Sequence, residues 1–191
     1  MMYVTKLTLT SIGLMCVAVA LARNGSFAQE RLIFEVRAEN TKYTKQHIID
    51  VGDVPGHQVR VFEIHRAYPS NAPTINGIRI VESWTHGMSD YTNNNGEATS
   101  YSVYELENGD RFFTRGSLIA IQSPEESNLS ATTVGPIIGG TRKLSRINGM
   151  ARSTTSANPK NRAQRDARRY LILDSTCERS QCDERQPLTG G

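Results

Sequence analysis

Two short segments of this chain, VRVFEIH (residues 59–65) and IRIVESWTH (78–86), each finish in a carboxylate followed by an imidazole. Residues two apart on a β-strand share a face, so Glu63 and His65 end one stripe, and Glu82, Trp84 and His86 end another. A pocket lined by both stripes would have an apolar floor and a titratable mouth, as small-molecule sites often do. We predict Glu82 and His86 as a catalytic acid–base pair, with a glutamate pKa raised by burial, and Glu63, His65 and Trp84 as ligand-binding residues.

The alternative is that these stripes face solvent. On the first segment Phe62 and Ile64 would then point inward. On the second segment the opposite stripe, from Arg79 to Thr85, is distinctly polar, which favours an inward Glu82. A metal held by His65, His86 and a glutamate is chemically feasible, but nothing in the spacing demands one, and we predict no metal.

Tyr101, Phe113 and Arg115 are further ligand-binding candidates, on two segments that follow. Aromatic residues at such positions more often fill a core than bind a ligand. An arginine on an inward face needs an anionic partner or ligand, and the alternative for Arg115 is a cross-strand ion pair on the outside. No nucleophile motif such as G-x-S-x-G occurs.

The segments that carry these residues are predicted to be β-strands. From Arg31 onward almost no stretch has helical periodicity, whereas runs rich in β-branched and aromatic residues recur between turn-forming clusters. Asn108-Gly109 favours a type I′ turn, so the segments on either side of it should pair as a hairpin. The pattern predicts an all-β protein, a barrel or a sandwich. The predicted strands are residues 32–37, 58–66, 78–86, 88–92, 99–106, 111–121, 129–133, 147–153 and 168–173.

Residues 1–28 have the layout of a secretory signal peptide. Lys6 precedes an apolar run at residues 7–22, and Ser26-Phe27-Ala28 offers a small-residue cleavage site. A single-pass anchor is the alternative, although the run is shorter than the roughly 20 residues that a span needs. We predict cleavage, no stable membrane anchor, and a periplasmic or extracellular location.

Cleavage would also change the charge balance. It removes Lys6 and Arg23 and no acidic residue, so 22 basic against 19 acidic residues becomes 20 against 19. Non-specific nucleic-acid binding needs an excess of cations that neutralise phosphates. The nearly neutral mature chain therefore predicts no nucleic-acid partner.

The mature chain is predicted to form one domain at residues 29–173, followed by a polar tail at 174–191. The tail contains Cys177 and Cys182, which in an oxidising compartment most simply form a disulfide. A zinc or redox pair would need C-x-x-C spacing or further ligands nearby, and neither is present in the sequence.

The glycine-rich stretch GPIIGGTRKLSRING (135–149) admits three interpretations. A phosphate-binding loop would need Lys and then Ser or Thr after Gly140, but Thr141 and Arg142 follow. A basic patch is the second, and a glycine-relieved bend entering a strand is the third. We favour the bend, with its arginines exposed to solvent, and predict no cofactor.

GGTRKLSRING resembles the G-G-T-G-K-[YF]-x-G-I-x-G strand-turn-strand of allene oxide cyclase-like and dirigent-like barrels. Arg142 and Arg146 stand where that pattern has glycine, and Leu144 replaces its aromatic residue. The run NGEATSYSVYELENGDRFFTRGS, from Asn95 onward, also resembles the central hairpin of that family. The resemblance implies an eight-stranded antiparallel β-barrel. It also implies a homo-oligomer, for which the sequence gives no independent sign.

Three functions follow from these observations. The preferred one is a binding protein that holds a small apolar or aromatic molecule in the barrel. The resemblance implies instead a cyclase, an isomerase or a stereo-guiding enzyme, in which the barrel shapes a reactive intermediate. The third is a secreted scaffold without a ligand, because a fold does not fix a function.

Overall fold

The computed structural model describes residues 29–69, 71–158 and 165–174. The predicted signal peptide, most of the polar tail and the predicted Cys177–Cys182 disulfide lie outside these residues. The described part is all-β, with two single-turn 3-10 helices at Ala38–Asn40 and Arg142–Leu144. Its ten strands are β1 (Gln29–Val36), β2 (Thr41–Asp50), β3 (His57–Ala67), β4 (Thr74–Ile75), β5 (Ile78–Thr92), β6 (Asn95–Leu106), β7 (Arg111–Ile121), β8 (Leu129–Gly140), β9 (Asn148–Ala157) and β10 (Arg165–Asp174).

All strands belong to one antiparallel arrangement with the order β1-β10-β9-β8-β7-β6-β5-β3-β2, and the short β4 pairs with β5. The prediction of an eight-stranded closed barrel is wrong in strand number and in closure. The end strands β1 and β2 follow each other in the chain, but a 3-10 turn joins them. Among the described residues β1 pairs with β10 and β2 with β3, and the two do not pair with each other. The sheet is therefore not closed into a barrel.

The two faces of the sheet differ sharply in exposure. One face carries buried residues such as Ile64, Ser102 and Thr114, and we call it the inner face. The opposite, outer face carries exposed residues such as Val61 and Tyr101, which are 55% and 53% exposed. Side chains from β2 to β10 line one common pocket on the inner face, with only the short β4 left out, so the sheet curves around it.

Most predicted strands are present, with different limits. β7 spans Arg111–Ile121 as predicted, whereas the predicted strands 78–86 and 88–92 are one continuous strand, β5. The sequence analysis missed β2 and β4. β2 has the sequence TKYTKQHIID, whose few apolar residues suit an edge strand with one mostly solvated face.

Asparagine-containing turns connect several of these strands. The predicted hairpin of β6 and β7 is confirmed, with Glu105 opposite Arg111. Its turn is not type I′, because only Gly109 of the predicted pair has a positive φ. The type I′ pattern of two successive positive φ angles occurs at Asn93-Asn94, between β5 and β6, and at Asn76-Gly77, between β4 and β5.

Large apolar side chains fill one end of the inner face, which we call the packed end. Tyr104 and Phe112 stack there with ring centroids 4.4 Å apart and planes only 5° from parallel. Ile80, Leu106 and Leu144 complete the contact, and all five side chains are buried. Burial of each such side chain contributes about 1.5–3 kcal/mol, so this end anchors the sheet.

Candidate functional site: a pocket on the inner face

The other end of the inner face is hollow. It holds a pocket with a volume of about 170 Å³, beside the packed end. The space exists because the inward positions on the middle strands are occupied by glycine, alanine, serine and threonine. Cross-strand pairing places Gly87 of β5 beside Ser100 of β6, and Ser100 beside Gly116 of β7. Ser100 and Gly116 of this row line the pocket.

Glycine is required at two of these positions because neighbouring side chains come close. A Cβ atom on Gly116 would lie 2.7 Å from Thr133 Cγ2, and a Cβ atom on Gly87 would overlap the Phe62 ring. The Phe62 ring therefore packs against the β5 backbone, where it supplies an apolar wall to the pocket.

The floor of the pocket is a buried chain of polar groups. Arg66 Nη1 donates to Thr85 Oγ1 over 2.9 Å, and Thr85 Oγ1 lies 2.8 Å from Ser102 Oγ. All three residues are less than 9% exposed. Register explains the contact between the two hydroxyls, because Thr85 pairs directly with Ser102 across β5 and β6. The polar floor adjoins the packed end through Tyr104.

Arg60 lies six residues before Arg66 on the same face of β3. Its Nη2 donates to Gln58 Oε1 over 2.8 Å, and Gln58 Nε2 in turn donates to Asp50 Oδ1 over 2.8 Å. The Nε atom of Arg60 is buried and has no hydrogen-bond partner among the described residues. Ser89 of β5 is its cross-strand neighbour.

The pocket lining has a marked chemical bias. Hydroxyl groups are abundant, and Phe62, Leu118 and Leu129 provide apolar surface. Of the residues that the structure describes, no aspartate, glutamate, histidine, lysine or cysteine lines the pocket. The lining thus offers hydrogen bonds, apolar contact and positive charge, without a carboxylate or imidazole for acid–base chemistry.

The predicted catalytic pair, Glu82 and His86, is not in this pocket. A β-bulge lies between Ile80 and Glu82, and a bulge adds a residue that reverses which positions face inward. Ile80 and Ser83 are both fully buried although they are three residues apart. Ile80 therefore points inward, whereas Glu82, Trp84 and His86, the later residues of the same stripe, lie on the outer face. The expected inward orientation of these three residues is wrong.

Glu63 and His65 also lie on the outer face. Phe62 and Ile64 line the pocket instead, as the alternative interpretation held. Glu63 contacts Lys45 Nζ at 3.2 Å, Thr44 Oγ1 at 2.7 Å and His86 Nδ1 at 3.4 Å. The Thr44 hydroxyl, followed by Lys45 and His86, holds the pKa of Glu63 below its usual value.

Glu82 accepts hydrogen bonds on the outer face as well. Trp84 Nε1 donates to Glu82 Oε1 over 3.0 Å, and His65 Nε2 lies 2.9 Å from Glu82 Oε2. The imidazole of His65 packs on the Trp84 ring with centroids 4.3 Å apart. The bond from Trp84, then that from His65, lowers the pKa of Glu82. The predicted rise of a glutamate pKa by burial is therefore wrong for both glutamates.

Tyr101, Phe113 and Arg115 share the outer face. Tyr101 pairs with Arg115 across β6 and β7, and the guanidinium lies 5.8 Å from the centre of the Tyr101 ring. Arg115 is among the residues that border the pocket, but its exposed position agrees with the alternative of an outward side chain. Its cross-strand partner is an aromatic ring, not the carboxylate that the alternative named.

The glycine-rich stretch is the end of β8, a 3-10 turn and the start of β9, as the bend interpretation held. Arg142 has a φ of 46°, in the left-handed region that favours glycine. That is one position where the resembling pattern has glycine. The Arg142 guanidinium lies 3.4 Å from Asp110 Oδ1 and so joins this turn to the β6–β7 turn.

In the part of the chain that the structure describes, no group of three or more histidine, cysteine, aspartate or glutamate residues is placed to hold a metal ion. No helix among the described residues is long and apolar enough to cross a membrane. Comparison of the chain with family models, with curated proteins and with solved structures gave no match.

The sequence analysis missed the residues that line the pocket, chiefly Arg60, Arg66, Thr85 and Ser102. One signal was available, because small residues alternate with larger or charged ones along several neighbouring strands. Examples are GEATSYS in β6 and ATTVG in β8. Alternating small residues on adjacent strands indicate a face that packing does not fill.

Proposed function

We propose that this protein is a binding protein that holds one small organic molecule, with an apolar or aromatic body, in the inner-face pocket. The observation that carries the proposal is the pocket of about 170 Å³, hollow because of small residues beside a fully packed core. An apolar cavity of about 150 Å³ is enough to hold benzene. The expected ligand is therefore about the size of one ring with a small substituent.

The lining supports binding more than catalysis or a ligand-free scaffold. Phe62 and Leu118 offer contact to a ring, and the hydroxyls of Thr85 and Ser102 offer orientation. The carboxylates and imidazoles predicted for acid–base work are on the other face of the sheet. A scaffold needs no cavity, because a void among side chains loses packing energy.

Secretion to the periplasm or the extracellular space, after removal of residues 1–28, is part of the same proposal. The layout of the N-terminal sequence supports it. Membership of the allene oxide cyclase-like and dirigent-like barrels is also a proposal, supported by the positive φ of Arg142 where that pattern has glycine. The open sheet argues for a divergent form.

A pocket-filling substitution tests the proposal. Ser100 faces the pocket between Gly87 and Gly116, so a leucine side chain there extends into empty space. Neutral aromatic and aliphatic fragments are screened by ligand-observed NMR, and hits are measured by calorimetry. Ser100→Leu should weaken binding by more than about tenfold.

The matched control is Thr99→Leu, which adds a similar side chain to the outer face of the same strand. It should bind the fragments as the wild type does, and circular dichroism of both variants verifies the fold. If Ser100→Leu folds and still binds every hit with wild-type affinity, the pocket is not the binding site and the proposal fails.

A further inference from the structure

Arg60 is an inner-face arginine that lines the pocket and has an unpaired guanidinium donor among the described residues. Its Nε is buried without a hydrogen-bond partner among the described residues, and its Nη2 bonds to the neutral amide of Gln58. A guanidinium has five donors in a planar fork that matches a carboxylate. Burying a charged donor without an acceptor is costly, and Arg60 lines the pocket, where an acceptor from outside the chain would meet its guanidinium.

The surroundings of Arg60 favour an anion over a neutral acceptor. Arg66 adds a second cation on the same face of β3. The nearest acid in the hydrogen-bond chain is Asp50, which contacts Gln58 and not the guanidinium. With no carboxylate among the described residues that line the pocket, a concave site with low-dielectric walls gives a positive local potential.

The apolar part of the lining sits next to this charge. Phe62 is the next residue after Arg60 on the inner face of β3. The row of cross-strand partners that begins at Arg60 passes through Ser89 of β5 and reaches Leu118 of β7. Ala98 is between them, and its small side chain leaves the row open. A molecule with one anionic group and a short apolar body would therefore meet Arg60 and the Phe62 ring together.

We propose that the pocket selects small organic carboxylates, whose carboxylate group is bound by the Arg60 guanidinium and whose apolar body lies against Phe62 and Leu118. The inference rests on the proposed function of the pocket and names its ligand class. No covalent step is involved. The role of Arg60 is recognition, and that of Ser89 beside it is a hydroxyl within reach of the same anion.

The test uses matched pairs of acid and amide, which have nearly the same shape and differ in charge. Benzoate and benzamide, phenylacetate and phenylacetamide, and hexanoate and hexanamide are titrated into the wild-type protein by calorimetry. A charge-assisted bond to arginine should favour the bound acids over their amides by about tenfold or more. The preference should fall as ionic strength rises.

Arg60→Gln should abolish the preference for the acid while the amide keeps its affinity, and Arg60→Lys should retain part of it. Arg111→Gln is the matched control, because Arg111 lies on the outer face and pairs with Glu105 over 2.8 Å. It should leave the preference unchanged. Thermal unfolding of each variant shows whether the fold is intact.

The outcomes separate this inference from the proposed function. Equal binding of acids and amides, both lost in Ser100→Leu, overturns the anion selectivity and leaves the binding pocket standing. If neutral fragments bind and no acid does, the anion selectivity is likewise overturned and the binding pocket is left standing. An acid preference that survives in a folded Arg60→Gln variant shows that another group recognises the anion. Acids that bind Ser100→Leu as tightly as the wild type overturn both the inference and the proposed function.

Discussion

The packed end and the hollow end of the inner face are built on the same strands, yet they use different residues. At the packed end, β6 and β7 place Tyr104 against Phe112, and both are less than 2% exposed. Four residues away along each strand, the same two strands place Ser100 against Gly116 and leave the pocket open. Close packing and open space are therefore separated along the strands, because a core at one end allows a void at the other.

Phe112→Ala is the strongest way to test this separation. The substitution leaves a cavity against Tyr104 at the packed end, so we expect the free energy of unfolding to fall by about 3–5 kcal/mol. Ser100→Ala, on the neighbouring strand at the hollow end, should change it by less than about 1 kcal/mol. Chemical denaturation of both variants measures the contrast. Equal losses from the two substitutions would show that the two ends are not distinct in packing.

The sequence predicted much of the fold for reasons that hold locally. β7 was predicted to the residue because RFFTRGSLIAI, a run with several β-branched and aromatic residues, follows a turn with glycine. The turn type at Asn108-Gly109 was wrong, since Leu106 N bonds to Asp110 O and closes a longer loop. β2 was missed because an edge strand with one solvated face has little apolar signal.

The site was predicted poorly because alternation does not say which stripe faces inward. In β5 the inward stripe changes at a β-bulge between Ile80 and Glu82, and a bulge is a property of pairing that one strand's sequence does not show. In β3 the alternation left both orientations open, and the structure has the alternative one, with Phe62 and Ile64 on the inner face. The pocket that Phe62 and Ile64 line depends on seven other strands, so the sequence of β3 alone does not show which stripe faces inward.

A histidine clamp holds the loop between β2 and β3, at the hollow end. His57 Nδ1 lies 2.6 Å from Asp53 Oδ1, and His57 Nε2 lies 2.7 Å from Asp90 Oδ1. The bond to Asp90, then that to Asp53, raises the pKa of His57 above its ordinary 6.5. The bond to His57 is also the main cause that lowers the pKa of Asp53 below 3.8.

These directions set the pH window of the clamp. A raised histidine pKa means that its stabilisation is complete below about pH 6.5 and is lost as pH rises through the folded-state pKa. A lowered aspartate pKa means that its stabilisation is present above its ordinary value and is lost as pH falls through the folded-state pKa. The hollow end should therefore be most stable in mildly acidic solution.

His57→Gln is the second test, and we expect a smaller effect than that of Phe112→Ala because the clamp is near the surface. The melting temperature of the wild type should decline from pH 6 toward alkaline pH more steeply than that of the variant. His47→Gln, at an exposed position of β2, is the control and should follow the wild type. Parallel pH profiles of wild type and His57→Gln would contradict the assignment of the clamp.

Glu82→Gln is the smallest expected perturbation, and it sharpens the division between the two faces. Glu82 is partly exposed and bonds to Trp84 and His65. Its amide replacement keeps an acceptor for Trp84, so stability should change by less than about 1 kcal/mol, as for surface pairs. Ligand affinity and any acid preference should not change, because the pocket lies on the opposite side of the sheet. Calorimetry with benzoate measures this directly.

A loss of affinity in a folded Glu82→Gln variant, with Arg60 intact, would place the ligand on the outer face and reverse the roles of the two faces.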